Sequence, residues 1–144
     1  MFSGAASTGN SGNISIHTQR LLLQNGAVIY APTFQTGRGG NLNIRAAESI
    51  TLDASVLATI ALPGSNGTSG NIDIHTGQFL AERGGFVAAS TLGTGVGGNI
   101  TLNSTQSVAL LTTPEIALIP TGIFSNSILG TGAAGDVSVT TPDC

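Results

Sequence analysis

An ungapped internal repeat constrains the fold of this chain more than any other feature of its sequence. Residues 12–52 align with residues 70–110 at an offset of 58 residues, and 17 of the 41 aligned positions are identical. Repetition at a fixed spacing is typical of folds in which one unit is stacked on the next, so that neighbouring units bury their apolar faces together. The repeat therefore predicts a stacked architecture.

A shorter motif divides the 58-residue unit into halves. It consists of a glycine, then Asn or Asp, then two aliphatic residues on either side of one polar residue, and its copies are spaced by 28, 30, 28 and 37 residues. We therefore interpret residues 1–144 as a single repeat segment with coils that start near residues 12, 40, 70, 98 and 135. The five copies are Gly12-Asn13-Ile14-Ser15-Ile16, Gly40-Asn41-Leu42-Asn43-Ile44, Gly70-Asn71-Ile72-Asp73-Ile74, Gly98-Asn99-Ile100-Thr101-Leu102 and Gly135-Asp136-Val137-Ser138-Val139.

Short runs of alternating apolar residues predict β-strands. Ile14 and Ile16 form one run and Leu21 and Leu23 a second, and turns such as Asn25-Gly26 separate the later ones. An antiparallel sandwich or barrel and a parallel β-helix with three strands per turn are both compatible with this spacing. The near-identity of successive periods favours the solenoid, in which equivalent residues stack at about 4.8 Å per coil. We expect an all-β, parallel β-helix of about five coils.

In that fold the repeated Asn13, Asn41, Asn71 and Asn99, with Asp136 as the acidic variant, are expected to lie in register at one corner. Stacked Asn side chains can form hydrogen bonds along such a ladder. The glycines that precede them are expected to supply backbone angles closed to other residues at a sharp corner.

The composition argues against several classes of function. The chain has four arginines, no lysine and seven acidic residues, for a net charge of -3, so it lacks the clustered basic surface that nucleic-acid binding requires. No stretch approaches the roughly 18 apolar residues of a membrane-spanning helix, so we expect no membrane insertion. The single cysteine, Cys144, cannot form an internal disulfide.

The titratable residues predict no catalytic, cofactor-binding or metal-binding site. In the solenoid, His17 and His75 are two coils apart, about 9.6 Å on the stacking distance, and Arg45 lies between them, so they are too far apart to share a metal ion. No two acids occupy matching positions of adjacent coils, as the carboxylate cluster of a glycoside-cleaving enzyme requires. We therefore expect a non-enzymatic protein. The acids are Glu48, Asp53, Asp73, Glu82, Glu115, Asp136 and Asp143.

The repeat phrases resemble those of large cyanobacterial exoproteins that are similar to filamentous haemagglutinin and include surface-layer family proteins. The resemblance covers residues 7–141 and is carried by phrases such as residues 12–18, 21–29, 89–91 and 121–125, the last followed by Gly130-Thr131-Gly132. It implies a right-handed parallel β-helix that serves as the stalk of a secreted adhesin. It also implies export through a partner outer-membrane transporter and display at the cell surface or release from the cell.

Two departures from that family qualify the resemblance. Neither a signal peptide nor a secretion domain with an Asn-Pro-Asn motif is present in the sequence, so we expect the chain to be a piece of a longer exoprotein. Residues 111–134 are expected to form a loop outside the helix, with residues 116–119 partly covering the helix. Because this loop is apolar, it is the expected contact surface. The alternative function is a carbohydrate-active or carbohydrate-binding β-helix, which predicts acids and bases that converge on one groove.

Overall fold

The computed structural model describes residues 13–33, 38–62, 64, 66–111, 122–125, 127 and 133–141, and these form nine strands and no helix. Every strand pairing is parallel. The strands are β1 (Ile14–Gln24), β2 (Val28–Thr33), β3 (Leu42–Asp53), β4 (Val56–Ala61), β5 (Ile72–Glu82), β6 (Phe86–Thr91), β7 (Ile100–Leu110), β8 (Gly122–Phe124) and β9 (Val137–Thr140).

The strands form two parallel sheets that are wound together as a β-solenoid. The long sheet has the order β1-β3-β5-β7-β9 and the short sheet the order β2-β4-β6-β8, so the chain alternates between the sheets and adds one strand to each per turn. The predicted parallel β-helix is thus confirmed, and the sandwich and barrel are excluded.

The motif copies stack as the sequence predicts. Ile14 pairs with Leu42, Leu42 with Ile72, Ile72 with Ile100, and Ile100 with Val137. The predicted coil number is slightly too high. Three full coils are followed by a fourth whose short strand, β8, has only three residues. The fifth motif copy forms β9, and no described short strand follows it.

Each coil contains two strands and not the predicted three. The alternating runs at Ile14 and Leu21 belong to one strand, β1, which is interrupted only by a register shift between Thr18 and Arg20. A bulge of this kind bends a strand without ending its pairing. The chain therefore bends within β1, and a similar shift recurs in the pairing of β3 with β5 and of β5 with β7.

The bulges alternate in size, and so do the connections that return to the long sheet, where ten residues separate β4 from β5 but eight separate β2 from β3 and β6 from β7. Two residues lie between the paired positions Thr18 and Leu21 of β1, whereas three lie between Ala46 and Ile50 of β3. The shorter bulge returns in β5 and the longer one in β7. Each coil therefore resembles the second coil after it more closely than the coil directly after it. As a result, the sequence aligns with itself without gaps only at an offset of two coils.

The interior is filled by the inward residues of both sheets. Leu42, Ile44, Ile72 and Ile74 are fully buried in the long sheet, and Leu57 is their counterpart in the short sheet. Burial of each such side chain contributes about 1.5–3 kcal/mol relative to exposure. Because equivalent residues stack, each coil covers the core of its neighbour, which ties the stability of one coil to the next.

The motif glycines are required for close stacking and not for the backbone angles that we expected. Among the described glycines, positive φ angles occur at Gly26, Gly64 and Gly84 and at none of the motif glycines. A Cβ on Gly70 would overlap the carbonyl oxygen of Gly40, and one on Gly98 would overlap that of Gly70. Successive coil backbones therefore approach too closely at this corner for any side chain.

The prediction that residues 111–134 lie outside the helix is wrong in part. β8 pairs with β6 through Gly122 and Phe86, and Ser127 forms a bridge with Thr91, so this interval returns to the short sheet. Ile123 packs against the core and the Phe124 ring lies 6.2 Å from the ring of Phe86, so apolar contacts hold this segment in the coil. Residues 116–119, which were expected to cover the helix partly, lie outside the described residues, as does most of the loop that was expected to be the contact surface.

Candidate functional site

A ladder of hydrogen bonds runs along one corner of the solenoid. The Asn13 Oδ1 accepts a hydrogen bond from the backbone N–H of Asn41 at 2.9 Å, and the Asn41 Oδ1 accepts one from Asn71 N–H at 2.8 Å. The Asn71 Oδ1 does the same for Asn99 N–H at 2.9 Å, and the Asn99 Oδ1 for Asp136 N–H at 2.8 Å. The predicted ladder exists, but each bond joins a side chain to the next backbone.

Replacing Asn71 with alanine tests this ladder. The change removes the acceptor of the Asn99 N–H, and we expect a loss of about 1 kcal/mol in the free energy of unfolding, the usual net worth of one hydrogen bond. Asn71→Asp is the matched control because it keeps an acceptor oxygen at the same place. Urea unfolding at pH 7 measures both variants, and an equal loss in the two would contradict the role assigned to the side-chain oxygen.

The two histidines flank an open groove on the outer face of the long sheet. His17 pairs in register with Arg45, and Arg45 with His75, as the sequence predicts. The groove beside them has a volume of about 390 Å³ and is also lined by Thr105. Within the described residues, Arg45 forms no ion pair, whereas His75 Nε2 lies 3.0 Å from Asp73 Oδ1.

The acidic residues do not line the groove, but the prediction that no two of them occupy matching positions of adjacent coils is wrong, because Asp53 of coil 2 pairs in register with Glu82 of coil 3. Glu48 of coil 2 forms an ion pair with Arg20 of coil 1, and Asp53 of coil 2 forms a bidentate pair with Arg83 of coil 3. These pairs join neighbouring coils, as a structural role requires. Glu115 and Asp143 lie outside the described residues.

The bidentate pair occupies the corner between the two sheets. Arg83 Nε donates to Asp53 Oδ1 at 2.6 Å, and its Nη2 donates to Asp53 Oδ2. This hydrogen bonding lowers the pKa of Asp53, opposed by partial desolvation, and raises the pKa of Arg83. Arg83 has a φ of 50°, and Ala54 at the same corner of coil 2 has a φ of 51°. The pair thus holds a corner whose backbone is left-handed.

Asp53 is expected to make stability depend on pH. Because its pKa in the folded state lies below the unfolded value, its contribution is present above the unfolded pKa of about 3.9 and is lost as pH falls through the folded pKa. Arg83→Gln removes the partner, so we expect wild type and variant to differ above the unfolded pKa of Asp53 and to converge as the pH falls through its folded-state pKa. Urea midpoints across this range test the expectation, with Arg45→Gln as the control. An Arg83→Gln deficit that stays constant with pH would contradict it.

Buried hydroxyl groups support the glycine corner, and the sequence analysis did not identify them. Thr59 Oγ1 donates to Gly70 O at 2.6 Å, and Ser69 Oγ accepts from Gly98 N–H at 2.5 Å. Ser104 Oγ lies 2.7 Å from both Gly77 O and Ser107 O at the bulge. These side chains point inward, where a polar group is stable only with a partner. For Thr59 and Ser104, a polar residue at an inward position of the alternating strand pattern was the available signal, whereas Ser69 lies in the connection between β4 and β5, where no such pattern exists.

Neither a metal site nor a membrane-spanning helix is found in the described part of the chain. No group of three or more His, Cys, Asp or Glu side chains there is arranged to hold a metal ion, and no helix there is long and apolar enough to cross a membrane. No family model matches the chain, and neither a curated protein nor a solved structure matches it. A functional proposal therefore depends on the solenoid and its surface.

Proposed function

We propose that this chain is a structural segment of an exported surface protein, the β-helical stalk of a haemagglutinin-like adhesin, without enzymatic activity. The observation that carries the proposal is that two pairs of described charged side chains form ion pairs between neighbouring coils. Arg20 with Glu48 and Arg83 with Asp53 link one coil to the next, while the corner is held by a continuous side-chain ladder. Such contacts join successive coils of a rod, whereas catalysis needs groups that converge on one point.

The proposal assigns the chain to the outside of the cell as part of a longer parent protein. A partner outer-membrane transporter would export the parent, and the rod would present a contact face to another surface or to a carbohydrate. The resemblance of the repeat phrases to cyanobacterial exoproteins supports this assignment, as does the fold, because a rod built from repeated coils extends without needing a new core.

Cell fractionation tests this proposal. An antibody raised against residues 12–110 would be used to blot surface, medium and cytosolic fractions of the source cells, with and without protease treatment of intact cells. A large, protease-sensitive band at the surface or in the medium is the expected result. A band near the 14.3 kDa of this chain, confined to the cytosol and protected from protease, would overturn it.

A second candidate function is carbohydrate binding at the outer groove, favoured by the position of Arg45. This guanidinium is exposed, lies between two histidines and has no acidic partner among the described residues, so it is available to a carboxylated sugar. The test is an NMR titration with an oligomer of galacturonic acid. We expect at least tenfold weaker binding in Arg45→Gln and no change in Arg83→Gln. Equal binding by wild type and Arg45→Gln would exclude the groove as the site.

A further inference from the structure

The outer surface of the long sheet has a notch at the bulge of coil 3. Coil 3 has a single unpaired residue there, Gly77, whereas coil 2 has residues 47–48 and coil 4 has residues 105–106. Gly77 has no side chain and lies buried between the two longer bulges, so it forms the floor of the notch. The groove beside Arg45 reaches this notch, because its lining includes Gly77 and Thr105.

A second recess, with a volume of about 490 Å³, lies beside the groove at the same bulges. Its lining residues are Arg20, Ala47, Glu48, Ser49, Gln78 and Gln106. Ala47 lines both the groove and the second recess, and its side chain is too small to separate them. Gln106 Nε2 lies 3.5 Å from the place that a Cβ on Gly77 would take. The groove and the second recess therefore meet at the notch.

The second recess offers hydrogen-bonding groups without a net charge. Gln78 Nε2 donates to Gln106 Oε1 at 3.0 Å, and in the described part of the chain neither side chain forms another hydrogen bond. Gln78 Oε1 thus remains as an acceptor and Gln106 Nε2 as a donor. Arg20 and Glu48 neutralise each other in their ion pair. An acceptor and a donor side by side are complementary to a sugar hydroxyl group, which both donates and accepts.

We propose that the groove and the second recess form one site for an acidic oligosaccharide, with a carboxylated sugar at Arg45 and a neutral sugar at the two glutamines. A second carboxylate is disfavoured in the recess because Arg20, the cation of its lining, is already paired with Glu48. The inference rests on carbohydrate binding at the groove, the second function proposed above. The site faces outward from the side of the solenoid, so coils added at either end would leave it open.

NMR titration of the full 144-residue chain with three sugars tests the proposal. The sugars are galacturonic acid and two disaccharides that link it to galactose in opposite orders. One disaccharide is expected to bind at least about fivefold more tightly than the acid alone, the net worth of one ordinary hydrogen bond. Equal affinities for all three would overturn the second recess and leave binding at Arg45 intact. Binding of none of them would overturn the carbohydrate-binding function as well.

Glutamine variants test whether the tighter binding comes from the second recess. Gln78→Ala and Gln106→Ala, combined in one chain, should bring the affinity for the disaccharide down to that for galacturonic acid. Gln19→Ala is the matched control and should bind like wild type, because Gln19 is an exposed glutamine at the bulge of coil 1 that lines neither the groove nor the second recess. Circular dichroism confirms that the variants are folded. A double variant that keeps the wild-type ratio of the two affinities, or a control that loses it, would overturn the proposed site.

Discussion

Replacing Gly70 with alanine is expected to lower the free energy of unfolding by at least about 3 kcal/mol, the upper part of the range for overpacked sites. The added Cβ would overlap the carbonyl oxygen of Gly40 and lie 2.6 Å from its carbonyl carbon. Both are backbone atoms, so no side chain can move aside and two coils must separate. Separation would also disturb the hydrogen bond from Thr59 Oγ1 to Gly70 O, which is 2.6 Å long. Urea unfolding followed by circular dichroism measures the loss.

Gly26→Ala is the matched control for this prediction. Gly26 has a φ of 79°, and a Cβ there would meet no atom within 4 Å, so only the left-handed backbone opposes the change. That opposition amounts to about 1–2 kcal/mol. We expect Gly70→Ala to be clearly the more damaging of the two. The reverse order would mean that backbone angle, and not the close approach of the coils, fixes the motif glycine.

Much of the fold could be predicted because every coil must meet the same packing requirement. Inward aliphatic residues at matched positions must stack, so Ile14, Ile72 and Ile100 recur, and a single sequence is enough to align them. Their alternation predicts strands, and their spacing predicts the register that the solenoid has. The ladder asparagines were predictable for the same reason, since each coil needs the same corner.

The remaining features of the fold depend on atoms that the repeat pattern does not represent. A position can require glycine because its φ is positive or because two backbones approach closely there. The coordinates are needed to see that close approach explains Gly70 and a positive φ explains Gly26. A bulge keeps the chain in the ladder, so the two apolar runs of β1 resemble two strands in the sequence. The inward hydroxyls of Thr59 and Ser69 have partners in other coils or distant loops, which spacing alone does not reveal.

The sequence was sufficient to predict how the side chains of the candidate site are arranged, but not what chemistry they perform. The order of His17, Arg45 and His75 across the coils follows from the register of the inward residues beside them. Their chemistry does not follow, because outward positions of a solenoid are free of packing demands and accept many side chains. The pairing of Arg83 with Asp53 was equally hidden, since it depends on the corner geometry that brings the two together.

Replacing Phe79 with alanine is expected to destabilise the solenoid by about 3–5 kcal/mol, the range for deletion of a buried aromatic ring. Phe79 is 1% exposed and is the largest fully buried side chain of the described core. It stacks between Ile50 of the preceding coil and Val108 of the next. A cavity here therefore weakens two coil interfaces at once, and thermal unfolding should show an early transition in the central coils.

Two further variants separate the loss of this ring from a general sensitivity of β5 and its neighbours. Phe79→Leu supplies the residue that coil 1 has at the same position, Leu21, and volume is largely kept, so we expect a loss below about 1.5 kcal/mol. Leu22→Ala changes an outward side chain that is 57% exposed, and such positions usually shift stability by less than about 0.5 kcal/mol. Should Leu22→Ala match Phe79→Ala in urea unfolding, the stability of this solenoid would not depend on its stacked interior. We expect Phe79→Ala to be much less stable than Phe79→Leu, and Leu22→Ala to be about as stable as wild type. This order follows because each inward side chain of the core fills the space between two neighbouring coils.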